Sequence, residues 1–315
     1  MVVGQFMSTT AFIFPGQGSQ YAGMGKELAA NFRVAADVFA EADEALSFSL
    51  SRICFEGPEE ELKLTAITQP AILTASIAAL RVLQSESGIV PSYLAGHSLG
   101  EYSALVASGA LSLADGVRTV RSRGSFMQEA VPVGVGAMAA ILNVEPELLA
   151  EICAEAAQGE VVSPANFNSP GQIVIAGHAA AVNRAMVIAK ERGIRKSMLL
   201  PVSAPFHCSL MKPAADRLAE VLDRIDVSTL SRPVVTNVEG VANDDPDRVR
   251  ELLTSQVCSP VRWVHSVEEL IRLGVITFIE IGPGKVLSGL VKRISKEPST
   301  FNLEDVAGLN SLPSA

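Results

Sequence analysis

The sequence predicts an α/β protein whose mostly parallel sheet is covered by helices and interrupted by a smaller α/β unit. Three observations predict this. Short apolar runs closed by glycine-rich turns alternate with long helical patterns toward both ends of the chain, and strands that alternate with helices pair in parallel. The middle instead reads strand, helix, strand, strand, helix, strand. The length, 315 residues with 48% hydrophobic, suits about two domains with a cleft between them.

The elements follow in order. "TAFIF" (10–14) is an apolar run closed by "PGQGSQ", a strand entering a glycine-rich loop. A long helical pattern begins near Gln69. Its apolar stretch "PAILTASIAALRVL" is interrupted by Thr74, Ser76 and Arg81, so it reads as a helix buried on most sides. The run at 93–96 is strand-like and a helix follows, with Gly109 placed to end it. Another helix spans about Ser112 to Ala130, opened by Ser112 and Asp115 as a capping box.

From Gly136 come "AMAAILN" (strand), "EPELLAEICAEAAQ" (helix), "VVSPANF" and "GQIVIAG" (strands), "AAAVNRAMVIAKERG" (helix) and "RKSMLLPVS" (strand). This β-α-β-β-α-β order is ferredoxin-like. "PVVTNV" and "VITFIEI" are later strands, the second leading through "GPG" into the helical "KVLSGLVKRI". The boundaries expected are a large domain at 8–133 and 202–294, a ferredoxin-like small domain at 134–201 and a tail at 295–315. The tail lacks periodicity and reads as a surface segment.

Composition narrows the function. A net charge of −9 and a pI near 5.1 argue against a nucleic-acid surface, which needs basic residues to meet phosphates. Cys54, Cys153, Cys208 and Cys258 form no C-x-x-C pair and have no histidine at zinc spacing. They read as reduced thiols of a cytoplasmic protein, with no metal site expected. "MVVGQFMSTT" has neither the basic nor the apolar region of a signal peptide, and Met7 is an alternative start. No apolar run approaches the ~18 residues of a membrane span.

"GHSLG" (96–100) matches the G-x-S-x-G nucleophile elbow. A strand must turn sharply into a helix with the serine at the apex, and the crowded turn excludes side chains two residues to either side. Gly96 and Gly100 meet that need, and the large domain is accordingly α/β-hydrolase-like. Ser98 Oγ then stands near a helix N-terminus, whose free N–H groups favour a developing oxyanion. The competing role for Ser98 is a helix-capping residue in a glycine-rich turn.

A serine nucleophile needs a base. His97 adjoins Ser98 and reads as a residue that packs against or braces the turn. His178 opens a helix of the small domain and reads as a cap or surface residue. His265 lies near a helix start. His207, in "LPVSAPFHCSLM", follows a strand on a proline-bearing loop, where sites of parallel sheets collect, and is the best-placed base.

The segments "FPGQGSQYAGMG", "TQPAI", "AGHSLGEYSAL", "RGSFMQ", "NFNSPGQIVIAG", "PVSAPFHCSLM" and "VCSPVRW", in that order, closely resemble the malonyl-CoA:acyl-carrier-protein transacylase family of bacterial fatty-acid synthesis. The acyltransferase domains of polyketide synthases are similar. The resemblance covers about residues 11–294. It implies Ser98 as the acylated nucleophile, His207 as its base, and the main-chain carbonyl of Gln256 in place of a carboxylate to orient the histidine. It further implies an oxyanion hole from the backbone N–H groups of Gln17 and Leu99, and Arg123 as the partner of the malonyl carboxylate.

Helical periodicity alone does not choose this arginine. Leu113, Val117, Val120, Gly124 and Met127 form one stripe, and Arg121 and Arg123 flank it on opposite sides. The choice of Arg123 comes from the resemblance, and Arg118 and Arg121 read as solvated charges. The chemistry suits an arginine, because a planar guanidinium grips a carboxylate bidentately. Phe206 and Leu99 occupy positions that go with an unbranched malonyl group in the family. Phe206, Met127, Asn166 and Asn168 are the expected pocket residues, the two asparagines having turn chemistry before Pro170 as their other role.

The resemblance thus implies acyl transfer from malonyl-CoA to the phosphopantetheine of acyl carrier protein, by a monomer, with no cofactor and no nucleic-acid or membrane partner. "AKERGIRK", with Lys190, Arg192, Arg195 and Lys196, is the densest basic cluster for an acidic carrier, or else a solvated helix end. Three alternatives stand beside this. A serine thioesterase or hydrolase shares the elbow but expects an acid between serine and a late histidine. A non-catalytic binding module lacks support, since "GQGSQYAG" is not G-x-G-x-x-G and "GMGKE" and "GPGKV" lack a P-loop hydroxyl. A free-standing acyltransferase that loads a polyketide synthase would use the same chemistry.

Overall fold

The computed structural model describes residues 9–202 and 204–313. Its strands are β1 (Thr9–Phe14), β2 (Tyr93–Gly96), β3 (Gly136–Leu142), β4 (Val162–Ser169), β5 (Gln172–His178), β6 (Lys196–Leu199), β7 (Val234–Val235), β8 (Ala242–Asn243), β9 (Val275–Ile281) and β10 (Ser299–Leu303). Among the described residues they form two sheets.

The larger sheet runs β10-β9-β1-β2-β7-β8. All its neighbours are parallel except β7 and β8, which pair antiparallel. This is the mixed, mostly parallel α/β sheet that the alternation of strands and helices predicts. Its centre is apolar on both faces: Ala11, Phe12, Ile13 and Phe14 of β1 are all buried, as a strand covered by helices on each side must be.

The smaller sheet is antiparallel in the order β4-β5-β3-β6. Helices Pro146–Ala157 and Ala179–Glu191 pack on one another and on its strands. Ile141, Leu149, Ile152, Ile173, Ile175, Val182 and Ala185 make a core of their own there. A parallel bridge between Asn166 and Val261 ties β4 to the segment before helix Trp263–Arg272.

Local signals act as read. Ser112 caps helix Leu113–Glu129, its Oγ accepting from Asp115 N–H at 3.0 Å. Gly109, at φ +80°, follows helix Leu99–Ala107 and turns the chain away.

Two expectations are corrected. The segment after Ile294 is not an aperiodic surface tail. It supplies β10, parallel to β9, and the short helix Val306–Asn310. Its alternation was obscured because a parallel edge strand of five residues carries only two large apolar side chains, Phe301 and Leu303. Helix Thr65–Glu86 does reach the length and apolarity of a membrane span, yet 83% of its apolar window is buried in the protein. It is the core helix against which helices Arg33–Leu46 and Leu113–Glu129 pack.

Candidate active site

β2 ends at Gly96 and helix Leu99–Ala107 begins three residues later, with Ser98 between them at φ 51° and ψ −105°. A non-glycine residue in that region is strained, and close packing of the turn holds it there. A Cβ on Gly96 would lie 1.9 Å from the Gly100 carbonyl carbon, and one on Gly100 would lie 2.0 Å from the Phe14 oxygen. Backbone occupies the space on both sides, so the two glycines are obligatory.

Ser98 Oγ lies 2.8 Å from His207 Nε2, and His207 Nδ1 lies 2.9 Å from the Gln256 carbonyl oxygen. A carbonyl only accepts, so Nδ1 carries the proton and Nε2 is free to accept from the serine hydroxyl. Burial, and then the Arg123 cation, push the His207 pKa down to about 3, which keeps the imidazole neutral. His207 also sits at φ 60°, a second strained residue facing the first.

Arg123 reaches this pair from helix Leu113–Glu129 and is 1% exposed. It donates to Gln69 Oε1 at 2.9 Å, to Gln256 Oε1 at 2.9 Å and to Ser98 Oγ at 3.1 Å. Its guanidinium carbon lies 5.4 Å from the centre of the Tyr102 ring. The acceptors are two amides and a hydroxyl, none of them an anion. Arg118, expected as a solvated charge, is exposed and pairs with Asp115, whereas Arg121 is half-buried. Both donate to carbonyls at the end of helix Arg33–Leu46, Arg118 to Ala45 and Arg121 to Leu46, and Arg121 covers the Phe48 ring.

A cleft of about 120 Å³ is lined by Gln17, Gln69, His97, Ser98, Arg123, Met127, Met138, Asn166, Leu200, Val202, Phe206 and His207. The structure therefore brings Gln17, Met127, Asn166 and Phe206 to the same space as the serine. Leu99 opens the helix, so its N–H is among those without an intrahelical acceptor, while its side chain is buried in the core. Asn168 Oδ1 lies 2.8 Å from His97 Nε2, and the His97 ring packs 5.8 Å from Trp263. His178 is not a side-chain cap; its Nδ1 accepts from Val161 N–H at 2.9 Å. His265 lies in helix Trp263–Arg272, edge-on to Phe167. Among the described residues, no group of three or more His, Cys, Asp or Glu could hold a metal ion.

Sequence reasoning missed three members of this centre. Asn237 Oδ1 accepts from Ser98 N–H at 2.6 Å while its Nδ2 donates to Gly96 O at 2.7 Å, clamping the elbow from β7's end. Gln69 holds Arg123. Glu101, buried in the first turn of the elbow helix, accepts from Gln256 Nε2 at 2.6 Å and from Asn237 N–H at 3.1 Å. Burial raises its pKa to about 7. Glu101 stands within "GHSLGE" and Gln69 within "TQPAI", but only tertiary contacts show what they face.

A serine at a strained elbow, a neutral histidine oriented by a carbonyl, and a buried guanidinium define an acyltransferase. The chain belongs to the acyl transferase domain family, whose model matches residues 11–312. It is 50% identical over 305 residues to the malonyl CoA-acyl carrier protein transacylase of Salmonella typhimurium, covering 97% of this chain and 99% of that one. It superposes with a TM-score of 0.95 on the crystal structure of an acyl carrier protein S-malonyltransferase from Vibrio cholerae, 50% identical, covering 97% of this chain and 100% of that one. A type II polyketide acyl-carrier protein in holo complex with its malonyl-transacylase contains a chain 48% identical, with a TM-score of 0.94, covering 96% of this chain and 98% of that one.

Proposed function

We propose that this chain transfers the malonyl group of malonyl-CoA to the phosphopantetheine thiol of acyl carrier protein through a malonyl-Ser98 intermediate, supplying extender units for fatty-acid synthesis. The observation that carries the reading is Arg123. Its buried cation lies within 3.1 Å of the serine oxygen and has only neutral acceptors. A buried guanidinium so placed matches an acyl group that brings its own carboxylate, and offers nothing to an aliphatic one.

His207 Nε2 takes the Ser98 hydroxyl proton as Oγ attacks the thioester carbonyl. The N–H groups of Leu99 and Gln17 receive the oxyanion. The C–S bond breaks, and CoA leaves with the proton from His207. The carrier's thiol then gives its proton to His207 and attacks the malonyl ester, and Ser98 Oγ recovers the proton as the C–O bond breaks. Thioester and oxyester exchange without net oxidation, so the scheme calls for no cofactor. Phe206, Met127 and Asn166 bound the acyl site, and Asn168 holds His97 at its edge.

We read the larger sheet with its elbow as α/β-hydrolase-like and the smaller as a ferredoxin-like insertion at 134–201. The enzyme is proposed to act as a cytoplasmic monomer. Incubation with malonyl-CoA, followed by intact-protein mass spectrometry, should add one malonyl group to wild type and none to Ser98→Ala. Release of free malonate without transfer to holo carrier protein would make it a thioesterase instead.

A further inference from the structure

Gln256 makes four contacts that matter to the site. Its carbonyl accepts from His207, its Oε1 accepts from Arg123, and its Nε2 donates to Ser98 O at 3.0 Å and to Glu101 Oε2 at 2.6 Å. The side-chain amide is thus held between an obligate donor, Arg123, and an acceptor, Glu101. An amide has one donating and one accepting end, so the acceptor behind it dictates which end faces the guanidinium. The same Oε2 accepts from the Asn237 backbone, whose side chain holds the Ser98 N–H. Glu101 is 2% exposed and does not line the cleft.

We propose that Glu101 is a positioning residue for acyl-group selection: by accepting from Gln256 Nε2 it aims Gln256 Oε1 at Arg123 and so sets the guanidinium for a carboxylate. The inference rests on the malonyl reading above. Charge enters second. Glu101 lies behind the amide, so it does not occupy Arg123 as a direct ion pair would, and the cation keeps its attraction for an incoming anion. What Glu101 contributes is the acceptor at the right place.

This separates the role from a merely structural carboxylate. Glutamine at 101 keeps an acceptor oxygen at the same reach. Aspartate keeps the charge but withdraws the acceptor by one methylene. Leucine removes it. The readout is the ratio of Ser98 acylation rates from malonyl-CoA and acetyl-CoA, taken in single turnovers of the full chain by intact mass, with circular dichroism to verify folding.

Glu101→Gln should hold the ratio within about threefold of wild type, while Glu101→Asp and Glu101→Leu should each lower it about tenfold or more. Loss of both acyl donors in equal proportion in a folded Asp or Leu variant overturns the proposal. So does Asp preserving the ratio as well as Gln, which alone decides the matter if the leucine variant does not fold. A wild type that takes no malonyl group removes the malonyl reading and this inference together. A selective wild type with insensitive variants removes only this inference.

Discussion

His207 Nδ1 faces the main-chain carbonyl of Gln256 at 2.9 Å, where a serine hydrolase would place a carboxylate. A carbonyl fixes the tautomer but offers no full charge to stabilise an imidazolium. The base is accordingly weak, with its pKa held near 3 by burial and by Arg123. Such a histidine gains proton affinity only as Ser98 Oγ gives up its own proton and charge moves onto the acyl oxygen.

The linkage has a definite sign. The folded pKa of His207 lies below the ordinary imidazole value of 6.5, so the unfolded chain binds the extra proton. The stability tied to neutral His207 is complete above about pH 6.5 and is lost as pH falls toward 3. His207→Gln should therefore lose less stability than wild type on going from pH 7 to 4.5, with an upper limit of about 1.4 kcal/mol per pH unit. Urea denaturation at several pH values checks this; parallel curves for the two proteins count against it.

Arg123→Ala should lower malonyl transfer to holo carrier protein by about a thousandfold or more, since it removes a buried charge partner. An acetyl side activity should survive or rise. Arg123→Lys should recover little, because a point charge on a flexible stem cannot reproduce three planar donations to Gln69, Gln256 and Ser98. Radiolabel transfer with both acyl-CoAs measures each outcome.

The elbow glycines and Gly109 should part company. Gly96→Ala and Gly100→Ala drive a methyl into backbone at 2.0 Å or less and should abolish soluble folded protein. Gly109→Ala meets nothing within 4 Å and suffers only its φ of +80°, a cost of about 1 kcal/mol. Expression level and melting temperature of the three variants make the comparison.

In the basic cluster proposed for carrier docking, Arg192 is ion-paired to Glu151 and Glu155, whereas Arg195 and Lys196 are exposed beside β6. The double reversal Arg195→Glu/Lys196→Glu should raise the KM for carrier protein about three- to tenfold at low salt and leave kcat unchanged. An unchanged KM rejects this face as the docking surface.

Truncation before Ser299 removes β10 and with it Asn302, which donates to buried Glu280 at 3.0 Å and to Ser288 at 2.9 Å. Glu280 also caps the start of helix Val286–Ile294 by accepting from Leu287 and Ser288 N–H. The shortened chain should melt lower by about 10 °C or more, read by calorimetry.

Much of this architecture was legible because local chemistry and tertiary need coincide. "TAFIF" and "YLAG" carry apolar residues on both faces and are almost wholly buried, and "VITFIEI" is buried but for Ile276. The spacing of Gly96, Ser98 and Gly100 fits a capped turn as well as an elbow, and the strand before it and the helix after it tip the reading to the elbow. Arg123 was not separable from Arg121 by periodicity, because each flanks the buried stripe. The structure distinguishes them by what lies opposite: Arg121 meets the end of a helix, and Arg123 meets Gln69 and Gln256. Asn237 and Glu101 were illegible because their partners lie more than 130 residues away and no local pattern marks them.

The order of the larger sheet has a further consequence. β1 is made first, yet one of its neighbours, β9, pairs Phe278 against Ala11, and β10 closes the edge later still. Gln17, Ser98, His207 and Gln256 are likewise scattered through the chain. A nascent polypeptide therefore carries its nucleophile long before it has a base or a carbonyl to orient one. Contacts of such long reach are slow to form, so the serine awakens only when the far end of the chain has come home.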